Sequence, residues 1–228
     1  MKRIAVLLVV LIATPSFGQQ KRTPLKHEGW SSLSGVVSDP SAFKPALLEG
    51  AVVFLKIAPT EYFPIHPDDR KSKGPLTLEV GGAQFDPRVF TLFTFYFDGE
   101  KQRSTGQMLR IVNSGAKAEN VRMNGSIRDA GFNVLLPAGK DFEHEVKPNA
   151  VPTMIASDIN TGKVAWVSVF DHPYHAVTGT DGKFTLPRVP ANCEVRVVVW
   201  HREHGWLNDG PQGKTMKLAK TPNFLNLN

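Results

Sequence analysis

The chain has 228 residues, a formal net charge of +6 and a single cysteine. A lone thiol excludes an intramolecular disulfide framework, so ordinary packing must hold the fold together. The length allows one or two domains with a real core, and a mild positive charge suits anionic surface polymers or lipids rather than nucleic acid.

The first twenty residues, "MKRIAVLLVVLIATPSFGQQ", start basic at Lys2 and Arg3 and continue as an apolar run from Ile4 to Ala13. Small residues Ser16 and Gly18 flank Phe17, so the pattern predicts a secretory signal peptide over residues 1–18, cleaved before Gln19. The alternative is an uncleaved N-terminal anchor, but the run is shorter than the ~20 residues a spanning helix needs. No cysteine stands near the cleavage point to take a lipid anchor. Cleavage removes Lys2 and Arg3 and leaves 210 residues of net charge +4. The expected location is periplasmic or secreted, with no membrane span after cleavage.

Across the chain 17 prolines and 19 glycines punctuate short β-forming runs. In chain order these are "LSGVVSD", "GAVVFLKI", "PLTLEV", "RVFTLFTFYF", "QMLRIVN", "FNVLL", "KVAWVSVF", "KFTLP" and "CEVRVVVWH". No long segment has helical periodicity, so the expectation is an all-β protein built as a sandwich or barrel. In the last run Cys193, Val195, Val197 and Val199 share one face, and Glu194, Arg196, Val198 and Trp200 the other. Cys193 therefore reads as a buried, inert thiol; a reactive or dimer-forming thiol is the alternative. Asp181-Gly182 in "TGTDGKFTL" predicts a tight hairpin turn. Residues 59–74, "PTEYFPIHPDDRKSKG", read as a polar, proline-rich linker, and "KRTPLK" and the final "NFLNLN" as loose termini.

Candidate chemistry is sparse. Four histidines form two H-x-x-H pairs, His172/His175 in "DHPYH" and His201/His204 in "WHREH". Imidazoles from both pairs, meeting at a domain edge, would be a candidate zinc or copper site. "WHREHGW" lacks the H-E-x-x-H order of zinc proteases, and the chain carries neither a G-x-S-x-G elbow nor a P-loop. The carboxylates Asp68 and Asp69 lie in the polar linker, where solvated charge is the expectation. Trp30, Tyr174, Trp200 and Trp206 are candidates for stacking on sugar rings, Trp200 and Trp206 foremost because they flank the second histidine pair. Trp166 is expected in the core.

Two segments resemble one known module. "LSGVVSDPSAFKPALLEGAVVFLK" is similar to the opening of the carboxypeptidase regulatory-like (transthyretin-like) domain, and "AVTGTDGKFTLPRVPANCEVRVVVWH" to its closing half, with Asn192 where a glycine usually falls. The resemblance implies a discontinuous β-sandwich over residues 31–58 plus 171–220. The stretch between, residues 75–170, resembles a cupredoxin, a plastocyanin-like Greek-key sandwich. The matching segments are "AQFDPRVFTL", "MLRIVNSGAKAENV", "FNVLLPAGKDFEHEV" and "VPTMIASDINTGKVAWVSVFDHPY". The whole arrangement resembles exported bacterial proteins common in planctomycetes and labelled methylamine utilization protein or cupredoxin-like protein; "DHPYHAVTGTDGKFTLP" is its most specific block.

A type 1 copper site needs a thiolate and two imidazoles, usually with a weak thioether. By the resemblance, the first histidine falls at Glu119 in "NSGAKAEN", and the other ligands in "SDINTGK", where Ser157 replaces Cys, Asn160 replaces His and Lys163 replaces Met. Type 1 copper is therefore not expected, and no other cofactor is implied. A polar loop cluster, sharpened to a Glu119–Lys163 ion pair, is expected in its place. The resemblance also implies that His172 pins the domain junction. These readings lead to a non-enzymatic binding or scaffolding protein of the bacterial envelope, with an envelope protein or polysaccharide as partner and no nucleic acid. The alternatives are a periplasmic metal-binding or electron-transfer protein using the histidines, and a carbohydrate-binding module.

Overall fold

The computed structural model describes residues 22–39, 41–43, 46–72, 74–125 and 131–227. The expected leader lies outside these residues. The described chain is all-β: strands carry the architecture, with two 3-10 turns at Pro67–Asp69 and Gly210–Gln212. Among the described residues no helix is long and apolar enough to cross a membrane.

The strands form two sandwiches. In the first, Trp30–Val37 lies between Lys183–Pro190, antiparallel, and Asn223–Leu227, parallel. The facing sheet places Val52–Lys56 between His175–Val177 and Cys193–His201, the latter also pairing with Gly205–Leu207 and Lys214–Leu218. Alternation drives the packing: Leu33, Val37, Val53, Leu55, Phe184, Leu186, Val195 and Val197 point inward and share one core.

The second sandwich uses residues 76–170, which lie in chain order between two parts of the first. Its larger sheet runs Phe132–Leu136, Glu119–Met123, Asn149–Ser157, Val164–Phe170 and Val89–Phe93, the final pair parallel. Asp141–His144, Leu109–Val112 and Leu76–Glu79 make the smaller sheet. Leu78, Leu92, Leu109, Ile111, Val121, Ile155 and Val167 from both sheets close a second core.

The two units meet over a third apolar cluster. Val52, Phe54, Val198 and Trp200 of the first pack on Val89, Phe170 and Trp166 of the second. Phe54 lies 4.8 Å from Phe170, and Trp166 lies 5.2 Å from Trp200, centroid to centroid. This contact buries the outer face of the Cys193–His201 strand at Val198 and Trp200, while Glu194 and Arg196 on the same face stay exposed.

Several sequence expectations are corrected here. The turn at Asp181-Gly182 forms, with Gly182 at φ +64° and its N–H donating to Gly179 O at 2.9 Å. It does not close a hairpin. His175–Val177 pairs in one sheet and Lys183–Pro190 in the other, so the turn crosses the sandwich. The described residues of 59–74 are docked rather than a free linker: Phe63 and Ile65 are buried in the first core, and the Tyr174 hydroxyl donates to Pro64 O. Nor are the ends loose. Thr23–Pro24 pairs with Glu61–Tyr62 and Leu25 is buried; Asn223–Leu227 completes a sheet edge with Leu227 buried. Apolar alternation too short to read in isolation is satisfied by distant strands.

Candidate functional site

Glu119 opens a strand at the loop end of the larger sheet of the second unit. The loop that leads into it is set by Asn113, fully buried, whose Nδ2 donates to Lys117 O at 2.8 Å and Leu136 O at 2.9 Å. Asn113 Oδ1 accepts from Gly115 N at 3.1 Å. Gly81 and Gly115 then meet backbone to backbone: a Cβ on Gly81 would stand 2.1 Å from Gly115 N. That approach puts the Val80 carbonyl beside the loop from Ser157 to Lys163.

The structure brings Glu119, Ser157, Asn160 and Lys163 together. Glu119 and Ser157 are both buried. The Ser157 hydroxyl donates to Glu119 Oε1 at 2.5 Å, and Asn160 Nδ2 donates to Oε2 at 2.8 Å. Lys163 Nζ donates to the same Oε2 at 2.9 Å and to Val80 O at 3.4 Å. Ser157 Oγ also accepts from the N–H groups of Asn160 and Ile159, at 2.7 Å and 3.1 Å. Lys163 N donates to Asn160 O at 3.2 Å, closing the loop.

Burial by itself would raise the pKa of Glu119. The hydrogen bonds from Ser157, Lys163 and Asn160, with the Lys163 charge, outweigh burial and hold it below the ordinary carboxylate range. The site is thus an ionised carboxylate with each oxygen matched to a donor. Its donor set is a carboxylate, a hydroxyl, an amide and an ammonium. Copper of the type 1 kind takes a soft thiolate and neutral imidazoles. None of the four side chains supplies either, and Lys163 puts a positive charge where a cation would sit, so the residues do not fit that metal.

The histidine pairs do not meet. His175 pairs with Phe54, whereas Trp200 pairs with Val52, which puts His201 opposite Ala51. Three residues along the middle strand and two strand spacings across separate the pairs, on the order of 14 Å. Metal ligands converge to about 2 Å from one ion. Among the described residues, no group of three or more His, Cys, Asp or Glu side chains is placed to hold a metal. His172 is a core residue at the junction, ring against Phe63 at 4.5 Å and stacked on Tyr174 at 5.6 Å, its Nδ1 accepting from Tyr174 N. His175 Nδ1 lies 2.8 Å from Thr91 Oγ1, tying the units, while its sealed Nε2 has no partner. Burial pushes both pKa values down to about 3. His201 Nε2 lies 3.1 Å from Glu49 O, and His204 Nε2 lies 3.8 Å from Asp39.

Of the aromatic candidates, Tyr174 and Trp200 are buried and cannot stack on an external ring. Trp166 packs at the junction, as part of the third cluster. Trp206 is half-buried and lines an apolar cleft of about 290 Å³ between the units, together with Phe54, Ile57, Phe63 and Val151. Arg22 and Asp171 stand in its wall 3.7 Å apart, and burial raises the Asp171 pKa. Trp30 lines a second groove with Tyr62, Tyr96 and Phe97. Asp69 is not a merely solvated charge: Arg188 grips it through Nε at 2.9 Å and Nη2 at 2.6 Å. Cys193 is buried, and burial raises its thiol pKa to about 11, leaving it protonated and unreactive near neutrality.

Sequence reasoning missed Asn113, Tyr62, Tyr96 and Phe97. The "NSG" turn was the available signal for Asn113; nothing local marks the three rings as neighbours of Trp30.

No family model matches the chain. No curated protein matches it. Among solved structures, a purple cupredoxin from Nitrosopumilus maritimus matches 41% of this chain and 97% of its own length, at 15% identity and a TM-score of 0.29. A likeness of that size carries no argument about site or activity.

Proposed function

We propose that the chain is an exported, non-enzymatic binding or scaffolding protein of the bacterial envelope, periplasmic or secreted, that joins a cupredoxin-like unit without type 1 copper to a carboxypeptidase regulatory-like unit. The observation that carries this reading is the Glu119 cluster. At the four positions where the resemblance puts copper ligands, a carboxylate is closed by its own serine, asparagine and lysine. Such a cluster stabilises a loop and offers no free donor to a soft metal. The mixed two-sheet topology of residues 76–170 is compatible with the cupredoxin-like reading. Two recesses at the junction between units supply surface for a ligand, which is where binding sites commonly form.

The test is metal analysis of the purified chain after loading with copper, then zinc, and desalting, alongside cell fractionation. The expected result is no stoichiometric metal, no intense visible absorption, and recovery outside the cytoplasm. One copper per chain with an intense visible band would overturn the reading; tight zinc without that band would favour the histidine alternative.

A further inference from the structure

We propose that the groove between Trp30 and Tyr96 binds a carboxylated glycan, a polyuronate chain, with Arg70 taking the carboxylate. The inference rests on the binding reading above and names the ligand class.

The groove has a volume of about 400 Å³ and runs between the first unit and the short Phe95–Phe97/Gln102–Ser104 ribbon of the second. That is within the size range of ligand sites. Besides His27 and the buried Phe63, four rings reach it from distant parts of the chain: Trp30, Tyr62, Tyr96 and Phe97. All four are half-buried, so each is anchored yet keeps a wet surface. Tyr62 and Phe97 brace each other edge to face at 5.1 Å. The Trp30 indole N–H and the Tyr62 and Tyr96 hydroxyls make no hydrogen bond to described residues. An apolar ligand would leave these groups unpaired, whereas a ring with one apolar face and a rim of hydroxyls matches both the rings and their polar tips.

Charge selects among such ligands. Asp98, the acidic side chain of the groove, is already satisfied: the N–H groups of Lys101 and Glu100 donate to it, both at 2.9 Å, and Arg103 Nε pairs with it at 2.5 Å. Arg70 donates only through Nε, to Ile65 O at 3.3 Å, and has no acidic partner among the described residues. Its two terminal nitrogens are free to hold a carboxylate side-on. Arg22 lies over the outer side of the Phe97 ring at 5.3 Å, its charge shared with Asp171 at 3.7 Å. The net charge of +6 on the whole chain has the same sign. A neutral glycan would leave Arg70 unused, and a proline-rich peptide would find no use for it.

The test is calorimetric titration of the full chain with an oligogalacturonate, and with a neutral cello-oligosaccharide, an oligoproline and an oligoglutamate of similar length. The expected result is saturable binding of the oligogalacturonate alone. Tyr96→Ala should weaken it about tenfold, the scale of one lost ring contact. Arg70→Gln, at an exposed side chain that leaves the fold intact, should abolish the preference over the neutral oligomer. Absence of oligogalacturonate binding, or binding indifferent to Arg70→Gln, would overturn the proposal. Equal affinity for the neutral oligomer or for either peptide would overturn the ligand class. Copper loading reports on the Glu119 reading separately, so the two can fail independently.

Discussion

Replacing Lys163 with methionine isolates the energy of the Glu119 cluster. The side chains of Lys163 and Glu119 are 14% and 4% exposed and 2.9 Å apart. At an effective dielectric of about 20, the Coulomb attraction at this distance is about 6 kcal/mol. Desolvation of the two groups offsets much of it, but that cost is already sunk for Glu119 when only the lysine is removed. Breaking a buried pair from one side costs about 3–5 kcal/mol. Ser157 and Asn160 still donate to the stranded carboxylate, so the expected loss lies near the lower end, about 3 kcal/mol. Replacing both residues, Glu119→Leu with Lys163→Met, removes the stranded charge and should cost less than the single change. The assay is urea unfolding followed by near-UV circular dichroism, with the change read from the midpoint. A Lys163→Met variant within 0.5 kcal/mol of the parent, on the scale of an exposed pair, would refute the claim that this pair is buried and closed.

Other outcomes follow from the same geometry. Unfolded histidine titrates near pH 6.5, but His172 and His175 stay neutral in the fold until about pH 3. The unfolded chain therefore takes up protons first, and stability should fall as pH drops below about 6.5, by about 2 kcal/mol per histidine between pH 7 and pH 5. Glu119 acts in the same direction at lower pH, because its lowered pKa gives stability that is lost as pH falls through the folded value. Urea midpoints across pH 5–7 check this; His175→Gln should flatten the slope by about one proton, and an unchanged slope would count against the sealed ring. Trp200→Ala should cost about 3–5 kcal/mol by opening the junction cluster, and an unmoved unfolding midpoint would contradict that packing. Deleting residues 223–228 should destabilise the first unit, because it uncovers the edge of Trp30–Val37 and removes buried Leu227. A truncated chain as stable as the parent would restore the loose-terminus expectation.

Local pattern carried the strands well wherever one face is wet. Lys183–Pro190 alternates exposed and buried over its first half, as its sequence does. Cys193–His201 shows where the pattern stops being sufficient. Glu194 and Arg196 are exposed, yet from Val197 onward every residue is buried. The unbroken apolar run Val197-Val198-Val199-Trp200 was the signal that both faces are covered, and it argued against Trp200 as a stacking platform. The Glu119 cluster was legible because the spacing implied by the resemblance singled out four residues that the fold brings together. The aromatic groove was not, because Trp30, Tyr62 and Tyr96 are joined only by tertiary packing. The two H-x-x-H pairs looked like one site because sequence spacing carries no cross-strand register; pairing on opposite sides of Val52–Lys56 separates them.

The most direct test of the proposed reading is to install the donor set that the resemblance implies. The variant E119H/S157C/N160H/K163M should bind one copper per chain and absorb strongly in the visible, because the four side chains already converge from two strands and one loop. A folded variant, verified by near-UV circular dichroism, that takes up no copper would contradict the claim that these four positions share the geometry of a metal site.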